Sequence, residues 1–176
     1  MGIKYELAQD IQKEVNDIVS LLFPHVKLDS VVCLRSYGSS SRGTIARCHT
    51  LGKAMQLALG RKGFYLIEVI NPRFDKMREI DKTKTLIHEL MHIPKSFGGG
   101  FIHHNIVHER NVEIEFQRYI NLKKRQNGNV DLSKFIEEMP KKKITKGQEI
   151  EREFFVINNF IEDKSNFVVK KKRFWF

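Results

Sequence analysis

Residues 85–92 read Thr-Leu-Ile-His-Glu-Leu-Met-His, with two histidines four residues apart and a glutamate directly after the first. On a helix, residues i and i+4 lie on one face, so His88 and His92 can direct imidazole nitrogens to one metal ion. Glu89 then lies beside a ligand, where its carboxylate can take a proton from a water molecule at the ion. The pattern predicts a Zn²⁺ site for hydrolysis with Glu89 as general base, and the competing interpretation is a structural histidine pair.

A catalytic zinc site has three protein ligands and one open position, so a further ligand has to come from another part of the chain. The glycine run at residues 98–100 is a flexible loop that lets the chain return to the ion. Beyond it, His104 and His108 are i and i+4 across a predicted helix start, so one can bind the ion while the other supports it. The candidates that the spacing leaves open are His103, His104, His108, Glu109 and Glu113.

Hydrolysis of a peptide also needs a hydrogen-bond donor for the oxyanion that develops on the carbonyl. The candidates are His108, Arg110 and Tyr119. Each is equally well explained by a structural or surface position, so the sequence assigns none of them. His25 and His49 have no partner at a suitable spacing, and we expect them to be structural.

The elements that position the histidines can be read from the spacing of apolar residues. Phe64 to Ile70 is rich in aromatic and β-branched residues and predicts a strand, whose edge we expect to hold an extended substrate. A helix with Asp81 as its N-cap should follow and end at Pro94. A helix over residues 5–23 is predicted to precede them, and another over residues 105–124 to follow.

Residues 31–37 and 44–49 predict two further strands that form a hairpin across a turn-rich segment. Leu51 to Leu59 predicts a short helix that ends at Gly60. Residues 132–139 and 149–161 predict additional C-terminal helices. The expected fold class is therefore α+β, with a small mixed sheet packed on the leading helix and on the helix that carries His88 and His92.

Lysine and arginine number 31 against 21 aspartate and glutamate residues, a net charge of +10. Residues 121–176 hold 14 basic and 8 acidic residues, a net +6 in less than half of the chain. The basic clusters at residues 123–125, 141–146 and 170–173 suit the phosphates of DNA or RNA, and a solvated surface is the alternative interpretation.

The chain has 176 residues, and no apolar run approaches the roughly 20 residues that a membrane span needs. The first residues lack the apolar segment of a secretory signal, so we expect a cytoplasmic protein. Two cysteines, Cys33 and Cys48, are too few for a disulfide scaffold, and buried free thiols are expected.

Residues from about 31 to 120 resemble the metallopeptidases of archaea and phages, which are relatives of the SprT-like zincins. The most specific matching stretch is Leu86 to Pro94, continued by Phe97 to Gly100 and by His104. The other matching stretches are residues 33–36 with Gly38 and residues 41–42, residues 65–70, and residues 73–75.

The resemblance implies a zincin-like domain with zinc on His88 and His92, Glu89 as general base, and the histidine after the glycine loop as third ligand. In the family pattern that histidine follows a proline and precedes a glycine. The matching residue here is His104, between His103 and Asn105, so His103 and His108 stay open as alternatives. SprT-like relatives act on DNA-bound proteins, and by this analogy the basic C-terminal region suggests a tether to DNA or RNA.

These observations predict a zinc metallopeptidase that acts on a protein or peptide substrate. The alternative is a non-catalytic, zinc-containing module that binds nucleic acid or protein. The two hypotheses differ at the fourth coordination position, which is open in the enzyme and closed in the binding module. We expect residues 1–125 to form the zincin-like domain and residues 126–176 a basic helical extension packed on it.

Overall fold

Four strands and four α-helices make up residues 2–127, the part of the chain that the computed structural model describes. In chain order they are β1 (Lys4–Leu7), α1 (Gln9–Leu22), β2 (Val31–Tyr37), β3 (Ala46–Thr50), α2 (Lys53–Leu59), β4 (Tyr65–Ile70), α3 (Glu79–Met91) and α4 (Glu109–Asn127). The predicted α+β class with a small mixed sheet is confirmed. The predicted helices at residues 132–139 and 149–161, and nearly all of the predicted basic extension, lie outside the described residues.

The sheet has the strand order β1-β2-β4-β3. β2 and β4 are parallel, whereas β1 pairs antiparallel with β2 and β3 pairs antiparallel with β4. β4 lies between β2 and β3 in the interior of the sheet. Five of its six residues are buried, as is typical of strands that are covered on both faces. The predicted hairpin between residues 31–37 and 44–49 is therefore wrong, since β4 lies between these strands. The expectation that β4 offers a free edge is wrong for the same reason, and β3 is the edge strand on that side.

The N-terminal helix begins later than the apolar spacing predicted. Residues 4–7 form β1, which pairs with β2 from Lys4 opposite Tyr37 to Leu7 opposite Leu34. The alternation of Ile3, Tyr5 and Leu7 has the period of a strand, and sheet pairing prevailed over the helical reading. From Gln9 onward the helical spacing holds, and the apolar face of α1 is buried at Ile11, Val15, Ile18, Val19 and Leu22.

The helix that carries His88 also starts elsewhere than predicted. α3 begins at Glu79 with Arg78 as its N-cap residue, so the expected cap at Asp81 is wrong. Asp81 lies in the first turn instead and accepts a hydrogen bond of 2.7 Å from Arg78 Nε. Leu86, Ile87 and Leu90 are fully buried in the core beneath the sheet, and this burial fixes the rotation of α3 about its axis.

Two other helix boundaries follow local chain chemistry. α2 ends as predicted at Gly60, which adopts the left-handed conformation with φ of 61°. α4 begins at Glu109 rather than near residue 105, because residues 104–107 form a turn in which Ile106 and Val107 donate backbone hydrogen bonds to the carbonyl of His103. Both cysteines are free thiols, as expected, with Cys33 buried and Cys48 half-buried.

Candidate metal centre

The end of α3 brings two imidazoles together. His88 lies in the last turn of α3, and His92 is its C-cap residue, still in the right-handed helical conformation. Their Nε2 atoms are 3.2 Å apart. Two nitrogens on one tetrahedral zinc ion, each about 2.05 Å from it, lie about 3.3 Å apart, so the observed separation matches a shared ion.

His92 is held in one orientation by the chain that follows the glycine run. Its Nδ1 lies 2.5 Å from the carbonyl oxygen of Ile102, and the Ile102 N–H donates back to the His92 carbonyl at 2.9 Å. A carbonyl only accepts, so Nδ1 carries the proton and Nε2 keeps its lone pair toward His88. The Phe101 ring stacks on the buried imidazole at a centroid distance of 4.3 Å.

His104 completes the cluster from the turn before α4. Its ring centroid lies 5.4 Å from that of His88 and 4.6 Å from that of His92. One ligand nitrogen from each of the three histidines lies within 4.8 Å of the others, and His104 is exposed while His92 is buried. Within residues 2–127, these three histidines are the group of possible metal ligands whose ligand atoms lie close enough together to hold one ion.

Burial keeps the imidazoles of His88 and His92 neutral. Burial and, to a smaller extent, the neighbouring His92 and His104 lower the pKa of His88 to about 4. Burial likewise lowers the pKa of His92, against the opposing effect of its hydrogen bond to Ile102. A neutral imidazole offers the lone pair that a metal ion requires.

The glycine run is fastened to the sheet and to α2. The Tyr65 hydroxyl accepts a hydrogen bond from the Gly99 N–H and donates one to the Gly100 carbonyl, both at 3.0 Å. The Gln56 amide donates to the carbonyls of Leu51 and Gly98 at 2.6 and 3.0 Å. Gly99 has φ of +81°, and a Cβ there would lie 2.1 Å from Gln56 Nε2, so the loop requires glycine at this position.

Glu89 is buried next to the histidine cluster and points toward the edge strand. Burial outweighs the opposing effect of a hydrogen bond from the Cys48 backbone N–H and raises the pKa of its carboxyl group to about 7. No lysine, arginine or histidine of residues 2–127 forms an ion pair with it. A carboxylate with one backbone donor and no cation keeps oxygen lone pairs for a further ligand.

β3 presents a row of backbone groups above this carboxylate. Ile70 N donates to Ile45 O, and Leu51 N donates to Phe64 O. The odd-numbered residues in and around β3 are therefore the ones whose backbone groups bond to β4. In an antiparallel pair the alternate residues point their N–H and C=O groups the other way. Residues 46, 48 and 50 therefore face the open edge, and Cys48 among them donates to Glu89.

A cavity of about 660 Å³ adjoins the cluster on the side where β3 begins. Ile45 and Ala46, at the start of β3, line it together with His88, Glu89 and His104. Its far wall comes from α3 and α4, including Lys84, Glu109, Val112 and Glu113. The cluster therefore opens into a space that can receive a side chain.

The remaining candidates from the sequence lie outside the histidine cluster. The His103 ring packs 5.6 Å from Phe101, and the carbonyl of His108 accepts the N–H groups of Asn111 and Val112 at the start of α4. Glu109 and Glu113 line the cavity, and the Glu113 carboxylate lies 2.6 Å from Lys84 Nζ.

The candidate oxyanion donor Tyr119 is committed elsewhere, since its hydroxyl binds Asp17 and accepts from Lys123 at 2.9 Å. Arg110 is exposed on α4. The two histidines expected to be structural both have partners within the fold. His25 contacts the Ile93 carbonyl, and His49 contacts Glu68.

Comparison with known proteins identifies the family of the chain. A family model described as "Putative phage metallopeptidase" matches residues 3–140. The chain belongs to this family. No curated protein and no solved structure matches the chain.

Membership in the phage metallopeptidase family confirms the resemblance that residues 31–120 carry, and it extends over more of the chain. It implies a metal ion and a protein substrate, and the three clustered histidines are residues that can hold such an ion. The relation to SprT-like zincins stays a prediction. Among residues 2–127, helices that combine the length and the apolar character of a membrane span are absent.

Several residues that support the cluster were missed by the sequence analysis. Tyr65 and Gln56 fasten the glycine run, and Phe101 stacks on His92. Gln56 and Tyr65 lie more than 30 residues from the glycines that they bind, so no local spacing marks them. Phe101 directly follows the glycine run, and its position between the run and His104 was the one available signal.

Proposed function

We propose that this chain is a zinc-dependent endopeptidase of the zincin type, with His88, His92 and His104 as metal ligands and Glu89 as general base. The observation that carries the proposal is the convergence of three imidazole nitrogens beside a buried carboxylate under an open strand edge. Three imidazole nitrogen donors and one open position are a ligand set of catalytic zinc.

The donor set favours zinc over the hard cations. Mg²⁺ and Ca²⁺ prefer carboxylate and carbonyl oxygens, whereas imidazole suits zinc and its transition-metal neighbours. Zinc bound here would polarise a peptide carbonyl and bring the pKa of water toward about 7. The Ile102 carbonyl fixes the tautomer of His92, and the fastened glycine run fixes the path of the chain to His104.

Glu89 has the position of the proton acceptor. It directly follows His88, it is buried, and its carboxylate already receives the Cys48 N–H from the edge strand. A carboxylate held between the ion site and the substrate strand can take a proton from the attacking water and pass it to the leaving amine. Proton transfer of this kind contributes roughly a hundredfold to ten-thousandfold to the rate.

The substrate backbone would pair with β3. Ala46 and Thr50 leave N–H and C=O groups on the open edge, Cys48 leaves its C=O group there, and an extended peptide can add a strand to this edge. The antiparallel arrangement gives the more stable ladder. In that arrangement the N-terminal part of the substrate lies near Thr50 and the C-terminal part enters the cavity beside Ala46.

The first experiment is hydrolysis of an unfolded protein by the full chain. We expect about one zinc per chain by elemental analysis, and cleavage of reduced, carboxymethylated casein that stops after chelation and returns with added Zn²⁺. Folded protein that binds no transition metal, or casein cleavage unaffected by chelation, would reject the proposal.

A ligand scan tests the third ligand separately. His104→Ala should weaken zinc binding strongly, while His103→Ala and His108→Ala, which remove neighbouring imidazoles, should leave it within about threefold of the wild-type value. Zinc affinity is read by competition with a chromogenic chelator. If His103→Ala or His108→Ala shows the loss instead, that residue takes the place of His104 in the ligand set.

A further inference from the structure

The helix α2 is unusual because almost none of its side chains is buried. It spans Lys53–Leu59, and six of its seven residues are exposed, whereas Gln56 is half-buried. Three large apolar side chains face solvent, with exposed fractions of 53% for Met55, 86% for Leu57 and 55% for Leu59. A short helix that gains nothing from packing these residues has to be held by other means.

Hydrogen bonds hold α2 in place. Gln56 ties it to Leu51 at the end of β3 and to Gly98 in the glycine run. Gly60 closes its C-terminus with backbone bonds to Gln56 and Leu57. Met55 and Leu59 lie one turn apart on one face of this fixed helix, and Leu57 projects from another, so apolar side chains are displayed around α2.

The charge around α2 has one sign. From residue 30 to residue 67 the chain contains no aspartate or glutamate and six basic residues. Three of these flank the apolar side chains and are exposed, namely Lys53, Arg61 and Lys62. We call Met55, Leu57 and Leu59, together with these three basic residues, the α2 surface. A surface of this composition complements a segment that is both apolar and acidic.

The position of the α2 surface indicates what such a segment belongs to. β3 ends at Thr50 and α2 begins at Lys53, so α2 lies at the end of β3 where a peptide paired antiparallel with the open edge would enter. In the antiparallel arrangement, the part of the peptide that arrives there precedes the scissile bond. The opposite end of the edge has different chemistry, since the cavity beside Ala46 includes Asp81, Glu109 and Glu113 in its lining.

We propose that the α2 surface docks the part of the polypeptide substrate that lies N-terminal to the cleaved bond, and that it selects apolar and acidic residues there. This inference rests on the proposed peptidase function, because β3 and the histidine cluster define where the bond lies. It names the substrate class as unfolded chains with a mixed apolar and acidic segment ahead of the cleavage point.

The test measures binding without turnover. The full-length Glu89→Gln protein, loaded with Zn²⁺, is titrated into a fluorescein-labelled peptide in which alternating leucines and glutamates precede a neutral serine–alanine block. The triple variant Met55→Gln/Leu57→Gln/Leu59→Gln in this background should bind about tenfold more weakly, because glutamine keeps the helix propensity and removes the apolar contact. Arg61→Glu/Lys62→Glu should weaken binding severalfold and reduce its dependence on salt.

Leu7→Gln is the matched control, since Leu7 is equally exposed, at 66%, on the opposite edge strand of the sheet. It should leave the affinity unchanged. All substituted side chains are exposed, so circular dichroism and thermal midpoints should match those of the parent protein. Equal binding by the triple variant and the Glu89→Gln parent overturns the inference, and so does a dimer that the triple variant dissolves, because the surface would then bind a second copy.

Cleavage mapping with active protein tests the polarity. With the apolar–acidic block first, cuts should fall after the block, and reversal of the block order should lower the cleavage rate about tenfold. Cuts that fall before the block contradict the assigned direction. If the triple variant loses peptide binding but the active protein cleaves nothing, the peptidase proposal is rejected and the docking surface is kept. If the protein cleaves casein but does not bind the peptide, the peptidase proposal is kept and the docking surface is rejected.

Discussion

The two faces of strand β3 each border a buried glutamate, and the two carboxyl groups are in opposite situations. Arg47 and His49 lie on one face, where Glu68 of the neighbouring strand is fully buried. His49 Nε2 is 2.6 Å and Arg47 Nη1 3.6 Å from the same Glu68 oxygen. Cys48 alternates to the other face, where α3 supplies Glu89, and there the carboxylate receives one backbone N–H.

The difference appears in the proton affinities. Burial raises the pKa of Glu68, but the hydrogen bonds and the positive charges beside it outweigh burial and bring the pKa below its usual value. Burial of Glu89 meets no such compensation, and its pKa rises to about 7. Burial alone therefore does not distinguish a structural carboxylate from a reactive one, and the presence of a cation partner does.

The largest expected effect comes from the same substitution on both faces. Glu89→Gln should lower kcat/KM for casein by roughly a hundredfold to ten-thousandfold, because the proton acceptor is lost while the side-chain shape is kept. Glu68→Gln should leave kcat/KM per folded molecule within about threefold of wild type. Hydrolysis rates at saturating zinc, together with metal content and circular dichroism, measure both. Comparable activity losses in the two variants would remove the distinction between the faces.

For stability, Glu68→Gln should have the larger effect and Glu89→Gln the smaller one. Glu68→Gln should lower the free energy of unfolding by about 1–3 kcal/mol at pH 7, since a buried charge-assisted pair with His49 is lost. Glu89→Gln removes no cation partner and should cost less. Urea denaturation followed by circular dichroism measures the difference.

The pH dependence of the Glu68 effect has a defined sign. Its pKa is lower in the folded chain than the usual 4.5, so the stabilisation is complete above about pH 4.5 and is lost as the pH falls through the folded-state value. The gap in unfolding free energy between wild type and Glu68→Gln should narrow on acidification in that range. A gap that widens toward low pH would show that Glu68 is protonated in the folded protein.

The contrast also explains which features the sequence could reveal. His88, Glu89 and His92 share one turn of helix, so their spacing carries the geometry, and the strand over residues 65–70 is marked by its composition. The order of the strands was not readable. Residues 31–37 and 44–49 are consecutive strand signals, and consecutive strands commonly pair, yet β4 lies between them.

Glu68 had no distinguishing signal, because its partners Arg47 and His49 lie about 20 residues away and meet it only through the antiparallel register. The supports of the glycine run depend on long-range contacts in the same way, since Tyr65 reaches glycines 34 and 35 residues later. Local periodicity specifies elements and neighbouring ligands, and side-chain partners across the sheet require the topology.

A smaller effect separates support of the metal centre from support of the fold. Tyr65→Phe and Tyr119→Phe each remove one hydrogen-bonded hydroxyl and should each cost about 1 kcal/mol of stability. Only Tyr65→Phe releases Gly99 and Gly100, so only this variant should weaken zinc binding, by about tenfold. Chelator competition and urea denaturation on both variants provide the readout. Equal zinc affinity in the two would mean that the glycine run keeps its path without the Tyr65 hydroxyl.

The smallest effect tests whether pairing without burial has the consequence seen at Glu68. Asp10 forms hydrogen bonds of 2.7 and 2.5 Å with Arg35, which lower the pKa of Asp10 to about 2, but its side chain is 63% exposed. Solvent screens such a pair, so Asp10→Asn should cost only about 0.2–1 kcal/mol at pH 7, and less at high salt. The pH dependence has the same sign as for Glu68. The stabilisation by Asp10 is complete above its usual pKa of 3.8 and is lost as the pH falls toward about 2. Asp10→Asn could instead destabilise the chain as much as Glu68→Gln, with a loss that does not change with salt. Pairing geometry rather than burial would then determine the contribution of both carboxylates to stability, and the contrast between the two faces of β3 would come from the placement of the cations alone.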